Sequence, residues 1–307
     1  MINFNSIEEL VHLAKEEHCP ISQIVMAWEA ENNLTSQESQ IEAMRKNWQV
    51  MVDSLQRGCQ NQEKSLSGLT GGDAVKLCSY SQQGYTGEAV LRAAASAIGV
   101  SEVNAVMGRI VACPTAGSCG IVPAAVYAGA KKNGNTEDEI VEALFTAAGI
   151  GMVIEANASI AGAYGGCQAE CGTAAGMAAA ALVQLAGGNP EQVGHGMALA
   201  IKNLLGLACD PVAGLVEVPC VKRNGFIAVH AMLAADMALA GVESVIPPDD
   251  VIDAMNRIGR SMPRAIKETA EGGLATTKTG LALAKKIFGQ LAFWNSHVIF
   301  MDFLADL

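Results

Sequence analysis

Apolar residues recur at spacings of three and four along most of the chain. After Thr35-Ser36-Gln37-Glu38, the residues Ile41, Met44, Trp48, Met51 and Leu55 fall on one helical face. Ser6-Ile7-Glu8-Glu9, Thr35-Ser36-Gln37-Glu38 and Thr136-Glu137-Asp138-Glu139 each place a hydroxyl three residues before a carboxylate. That spacing lets the two side chains satisfy free amides reciprocally, so each string predicts a helix start. Asn189-Pro190-Glu191 predicts another helix, with proline at its first position, running to about Ala208. Glycine and proline mark further boundaries: a helix from near Phe226 to Gly241, and one from Pro248 to Gly259. Gly165-Gly166 precedes a helix-like run from Cys167 to Leu185, which Gly187-Gly188 closes. Alternation with a period of two is confined to Val216-Glu217-Val218, a short strand candidate.

The pattern therefore predicts an all-α fold: one large helical domain over residues 1–307, with Ala- and Gly-rich buried helices. Small side chains let helix axes approach closely. No fixed-period repeat and no low-complexity linker divides the chain, and half of its 307 residues are hydrophobic, enough for a large core. Residues 291–307 carry Phe293, Trp294, Phe300 and Phe303. They read either as a last helix docked on the same chain or as a docking tail for another.

Charge and cysteine usage narrow the function. The net charge is -11 and no basic run exceeds Val221-Lys222-Arg223-Asn224, which argues against nucleic acid and anionic membranes as partners. Apolar stretches such as Ala174 to Ala186 are too short and too alanine-rich to span a bilayer. Met1-Ile2-Asn3-Phe4 has neither a basic nor a long apolar region, so no signal peptide is expected. Nine cysteines without such a signal point to a reducing compartment, the cytoplasm.

Three of those cysteines sit at breaks between apolar stretches, in Gly165-Gly166-Cys167-Gln168-Ala169-Glu170, Cys209-Asp210-Pro211 and Val218-Pro219-Cys220. Core cysteines usually lie inside apolar runs. Cys167 falls near a helix start, where free amides favour a thiolate, and Cys220 precedes Lys222 and Arg223, which would act likewise. With no Cys-x2-Cys pair, a zinc ribbon or ferredoxin-type site is disfavoured, and spacing alone leaves buried structural thiols and metal ligands both open. Cys171, four residues after Cys167, reads as a small buried residue able to approach the same place; Cys113 and Cys119 remain alternative ligands. Two glycine-bearing loops, Ser65 to Asp73 and Cys113 to Gly120, lead into helices and offer amides and hydroxyls to an anion or small carboxylate. Ordinary capping explains them equally well. Each of the five histidines reads as structural or exposed.

Taken together, Thr70-Gly71-Gly72-Asp73-Ala74, Pro114-Thr115-Ala116-Gly117-Ser118, Gly165 to Glu170 and the segment Cys209-Asp210-Pro211-Val212-Ala213-Gly214-Leu215-Val216-Glu217-Val218-Pro219-Cys220 resemble the α-subunit, or catalytic α-domain, of the iron–sulfur-dependent L-serine dehydratases. The likeness runs from the early capping boxes to about Gly289. It implies a helical fold and a [4Fe–4S] cluster held by Cys167, Cys209 and Cys220, with one iron left free of protein. It also implies a lyase of serine catabolism and gluconeogenesis that converts L-serine to pyruvate and ammonia. Substrate binding would fall to Ser67, Thr70, Gly71, Gly72, Asp73, Thr115, Gly117 and Ser118. Lys76 is a candidate general base, provided burial lowers its pKa. Single-chain relatives carry a regulatory or β-type domain before the catalytic part; its absence here implies a separate β-subunit and an α/β hetero-oligomer. Two other readings stand beside this one: a pyridoxal-phosphate dehydratase with Lys76 as its lysine, and a noncatalytic helical protein with structural zinc.

Overall fold

A computed structural model describes residues 2–289. The tail from Leu291 lies outside the described residues. The chain forms α1 (Ile7–Glu16), α2 (Ile21–Asn32), α3 (Gln37–Gly58), α4 (Asp73–Tyr80), α5 (Glu88–Ala105), α6 (Ile121–Asn133) and α7 (Glu137–Asn157). There follow the short α8 (Gly162–Gly165), then α9 (Thr173–Leu185), α10 (Pro190–Lys202), α11 (Cys220–Leu239), α12 (Pro248–Ser261) and α13 (Lys278–Phe288). Among the described residues there is no sheet; the single β-type contact is a parallel bridge between Cys209 and Lys267. Val216-Glu217-Val218 is therefore a turn rather than a strand. Three residues with no neighbouring strand cannot form a ladder, and the Val212 amide instead donates back to the Val218 carbonyl at 2.8 Å.

The alanine-rich α9 is the centre of the molecule. It is buried from Thr173 to Val183, and α6, α7, α10 and α11 pack around it. Its small side chains leave room for four neighbours, as the composition predicts. A second layer forms where α5 meets α3, α4 and α11. Gly58 on α3 lies against Gly99 on α5, and a methyl on either would overlap the other's backbone. The apolar face read on α3 is also borne out: Trp48, Met51 and Leu55 are buried, with Ile41 and Met44 packed at the core's edge.

Helix starts follow their caps with small shifts. Thr136 and Glu139 form the full reciprocal box. Ser6 accepts from the Glu9 amide at 3.0 Å, but the Glu9 carboxylate turns to the Asn5 amide. In the second string the cap is Ser36, which accepts from Ser39 at 3.2 Å, not Thr35. Two longer corrections matter for the site. The helix α10 stops at Lys202, six residues before Ala208, and α11 begins at Cys220, not near Phe226. Two histidines take structural places: His230 Nε2 lies 2.8 Å from the Ala200 carbonyl, and His195 accepts from the Ser244 amide.

Candidate metal centre

The site forms where helices stop. Between α8 and α9 the chain makes one π-turn, Gln168–Gly172, placed directly after Cys167. Such wide turns disturb the regular helix and recur at functional positions. A turn of more than four residues nearly superposes side chains four apart, and Cys167 Sγ lies 3.4 Å from Cys171 Sγ. The buried Gln168 locks this turn: its amide group donates to the Met255 carbonyl at 2.9 Å and accepts from the Gly206 amide at 2.8 Å. The second contact holds the turn that ends α10 and so delivers Cys209.

Cys209 is then fixed from both sides by backbone. Its amide donates to the Ile266 carbonyl at 2.9 Å, and its carbonyl accepts from the Glu268 amide at 2.8 Å. Its thiol lies beside Gly162 and Glu268, close enough to Cys167 for the two to influence each other's ionisation. Cys220, at the first position of α11, lies near enough for charge on Cys167 to act on it. All four thiols are buried. All three cysteines singled out in the sequence are thus buried, and it is Cys171 that touches Cys167 directly. Cys113 and Cys119 are buried elsewhere, with the Cys113 thiol directed at the carbonyls of Val111 and Cys119.

Charge at the site is mixed. Cys167 is held well below the ordinary thiol range by hydrogen bonds from Cys171 and Cys209, which outweigh burial, with the Arg223 guanidinium assisting. Burial pushes the Cys220 thiol up to about 12. The expected help to Cys220 from Lys222 is absent, because Lys222 Nζ pairs with Asp73 at 2.6 Å. Arg223 is fixed by Asp210 at 2.9 Å and by the Ala208 carbonyl at 2.8 Å, so the residue after Cys209 anchors the cation beside the thiols. Two carboxyls complete the wall. Glu170, on the π-turn, can bring an oxygen within 4.8 Å of both Cys167 and Cys171. Burial raises its pKa to about 7. Glu268 stands beside Gly162 and Cys209, its pKa also raised by burial.

The two glycine-bearing loops reach the same region, and their amides and hydroxyls already hold carboxylates from the chain itself. Glu102, fully buried, accepts from the Asp73 and Ala74 amides at the start of α4, at 2.8 and 3.3 Å. Glu217 accepts from both Ser65 and Ser67, at 2.6 Å each, which ties this loop to the Cys209–Cys220 segment. In the second loop Glu170 accepts from Thr115 Oγ1, and its carboxylate lies so close over Gly117 that any side chain there would overlap it. Ser118 Oγ, 3.1 Å from Thr115 Oγ1, closes that turn.

These places contain residues that sequence reasoning missed. Glu102, Glu217, Asn224 and Gln168 are buried polar groups inside otherwise unremarkable helical or turn strings. Asn224 accepts from the Gly120 amide at 2.9 Å and donates to the Gly117 carbonyl at 2.8 Å, which fixes the second loop to α11. Its only sequence signal is a polar residue within α11's apolar face. Of the candidate binding residues, Thr70 stands apart. Its hydroxyl is buried and makes no hydrogen bond among the described residues. Gly71 and Gly72 take positive φ, at 127° and 77°, and a side chain on Gly71 would overlap the Glu63 carbonyl.

A profile of the serine dehydratase alpha chain matches residues 16–275. The chain belongs to that family. It is 52% identical over 288 residues to a protein of Bacillus subtilis named probable L-serine dehydratase, alpha chain, which covers 93% of this chain and 96% of that one. It is 42% identical over 282 residues to the L-serine dehydratase alpha chain of Peptoniphilus asaccharolyticus, covering 90% and 95%. The L-serine dehydratase of Streptomyces coelicolor is 39% identical over 284 residues, but these make up only 60% of that longer protein.

In this alpha chain the converging thiols suit a soft metal or an iron–sulfur cluster, since thiolate is the donor such groups select. Lys76 does not meet the condition set for a buried base. It is exposed, its ammonium lies 2.8 Å from Asp73, and that carboxylate raises its pKa. Asp73 in turn is drawn down to about 2: burial pushes it up, but Lys222 and Lys76 outweigh burial. No described helix is long and apolar enough to cross a membrane.

Proposed function

We propose that this chain is the catalytic alpha chain of an L-serine dehydratase, eliminating water from L-serine to yield, after hydrolysis, pyruvate and ammonia. The observation that carries the reading is the buried contact of Cys167 with Cys171, walled by Glu170 and the Thr115–Ser118 turn, with the buried Cys209 and Cys220 within electrostatic reach of Cys167. The family to which the chain belongs supports it. Cys167, Cys209 and Cys220 would hold a [4Fe–4S] cluster. When bound, such a cluster with an iron free of protein supplies a Lewis acid at the departing hydroxyl, which is otherwise a poor leaving group.

The chain's own residues prepare the place. Arg223, held by Asp210, keeps a positive charge beside thiolates that burial alone would protonate. Gln168 and the paired backbone bonds at Cys209 fix the thiols against each other, so little rearrangement is needed on loading. Glu170 acts as a positioning residue: its carboxylate holds the Thr115 hydroxyl and the turn through Gly117 at the edge of the thiol group. Thr70, whose buried hydroxyl has no partner among the described residues, and the loop through Asp73 offer the substrate polar contacts. The tail at residues 291–307 and a separate β-type chain belong to this reading as the means of completing an α/β assembly.

A second reading rests on the 3.4 Å approach of Cys171 to Cys167. Four thiols in one place also describe a closed structural zinc site. Anaerobic purification, followed by iron, sulfide and zinc analysis and an assay of pyruvate formed from L-serine, separates the two. Iron and sulfide in cluster proportion with serine-dependent pyruvate support the dehydratase. Stoichiometric zinc without iron, and no pyruvate even with a β-type chain added, overturns it.

A further inference from the structure

A second pair of thiols lies away from the metal centre. Cys59, the residue that follows α3, and Cys78, in the last turn of α4, are both half-buried, and their sulfurs are 3.7 Å apart. Ser96 Oγ lies 3.8 Å from Cys59 Sγ. Both thiols line a cleft of ≈ 700 Å³ between α3, α4, α5 and α6. Its other walls carry Arg92, Lys131 and Lys132, with Glu88 as the carboxylate, bonded to Arg92 at 2.7 Å. In a chain of net charge -11 this cleft is locally basic.

We infer that Cys59 and Cys78 form a redox-reactive dithiol that accepts a low-molecular-weight disulfide bearing carboxylates and closes to an intramolecular disulfide. The Cys59 thiolate attacks one sulfur of the incoming disulfide, forming a mixed disulfide and expelling one small thiolate, which takes up a proton. Cys78 then loses its proton and attacks the Cys59 sulfur, releasing the second small thiol. The protein gives up two electrons and two protons, and the reagent's S–S bond receives them. The contact between the sulfurs makes the second step a matter of side-chain rotation. Neighbouring donors favour Cys59 as the attacking thiol: its pKa falls to about 6, mainly through Cys78, with Ser96 and Arg92 adding to it. The basic rim favours a reagent with carboxylates over a cationic one. The ring so closed contains the loop Ser65 to Asp73, whose hydroxyls hold Glu217, so the oxidised form pins that loop at both ends.

The test uses the cluster-loaded chain under anaerobic conditions, with glutathione disulfide as the probe. Remaining thiols are then alkylated and the peptides mapped by mass spectrometry. A peptide cross-linked through Cys59 and Cys78 is expected, reversed by dithiothreitol, while Cys19 stays alkylatable. Cys78→Ser should stop at a mixed disulfide on Cys59. Lys131→Glu with Lys132→Glu should slow the reaction with glutathione disulfide about threefold or more and leave the reaction with cationic cystamine no slower. Both thiols fully alkylated after exposure, with no cross-link, would overturn the dithiol. Equal slowing with both reagents, or none, would overturn the preference for an anionic one. The readouts are masses and rates, so they stand or fall apart from serine turnover.

Discussion

The two groups of cysteines use one side chain in opposite ways. Cys167, Cys171, Cys209 and Cys220 sit where three chain segments leave or enter regular helix, sealed from solvent, with Glu170 and Glu268 beside them. Cys59 and Cys78 sit at the ends of ordinary helices, half open to a basic cleft. Burial in the first group removes the solvent that would stabilise lone thiolates, so such thiols suit a metal that supplies the missing positive charge. Access in the second group admits a reagent, so chemistry at the sulfur becomes possible. Residue type is the same; the frame around it decides the role.

The sharpest way to break this contrast is to remove a thiol from each group. Cys167→Ser, Cys209→Ser and Cys220→Ser should each lose iron and pyruvate formation together. Loss of a partner that only supports a metal ligand costs 10–100-fold, so loss of a ligand should cost at least about 100-fold in activity. Cys59→Ser should retain its iron and its turnover. Iron content and a pyruvate assay on the same anaerobic preparations check both. Iron retained in a Cys209→Ser protein would sink the ligand assignment.

The arginines beside the two groups give a smaller contrast. Arg223 and Asp210 form a mostly buried pair, with side-chain exposures of 18% and 7%. Arg223→Ala leaves that carboxylate unpaired and should cost about 3–5 kcal/mol of folding stability. Arg92 and Glu88 are an exposed pair one helical turn apart, at 52% and 44%. Arg92→Ala should cost only about 0.3–0.5 kcal/mol. Denaturant melts of both variants measure the ratio, and equal losses would show that the site around Cys209 is more hydrated than its burial suggests.

Lys76 lies on α4 between the two groups, and its replacement should do least to turnover. Its ammonium is in solvent and, among the described residues, bonds only Asp73, which keeps Lys222 as a second partner. Lys76→Ala should leave serine turnover within experimental scatter of the parent. A variant that folds and loads iron but does not turn over would restore Lys76 to the chemistry.

Much of this arrangement is visible in the chain before folding, and the rest is hidden for identifiable reasons. The all-helical architecture and the Thr136 cap depend on local spacing, so they can be read directly. The end of α10 cannot be read. Gln168, 38 residues earlier, captures the Gly206 amide, and no local signal announces it. The start of α11 looks like a polar loop because Lys222, Arg223 and Asn224 follow one another. In the fold each is engaged by a distant group: Asp73, Asp210 and the Gly117–Gly120 turn. The loops near Gly71 and Gly117 do bind carboxylates, as their composition suggests, yet the carboxylates come from Glu102 and Glu170. Pairing across a fold is the part of the physics that a periodicity cannot carry.

The smallest expected effect also probes the contrast most finely, because it compares thiol acidity without disturbing the fold. Cys59 is lowered from the ordinary thiol value to about 6, and the first cause is the hydrogen bond from Cys78. Cys19, by contrast, is raised by burial and by Glu17. Only the thiolate reacts with iodoacetamide. Alkylation of Cys59 should therefore rise with pH only up to the region just above 6 and then level off, while Cys19 should keep gaining rate beyond pH 9. Cys78→Ala removes the donor, so the Cys59 profile should move to higher pH, towards the ordinary thiol range. Ser96 and Arg92 remain to hold part of the shift. Peptide-resolved alkylation rates between pH 5 and 10 make the measurement. An identical Cys59 profile with and without Cys78 would mean that the two sulfurs do not share a proton, and the contact at 3.7 Å would then be packing alone.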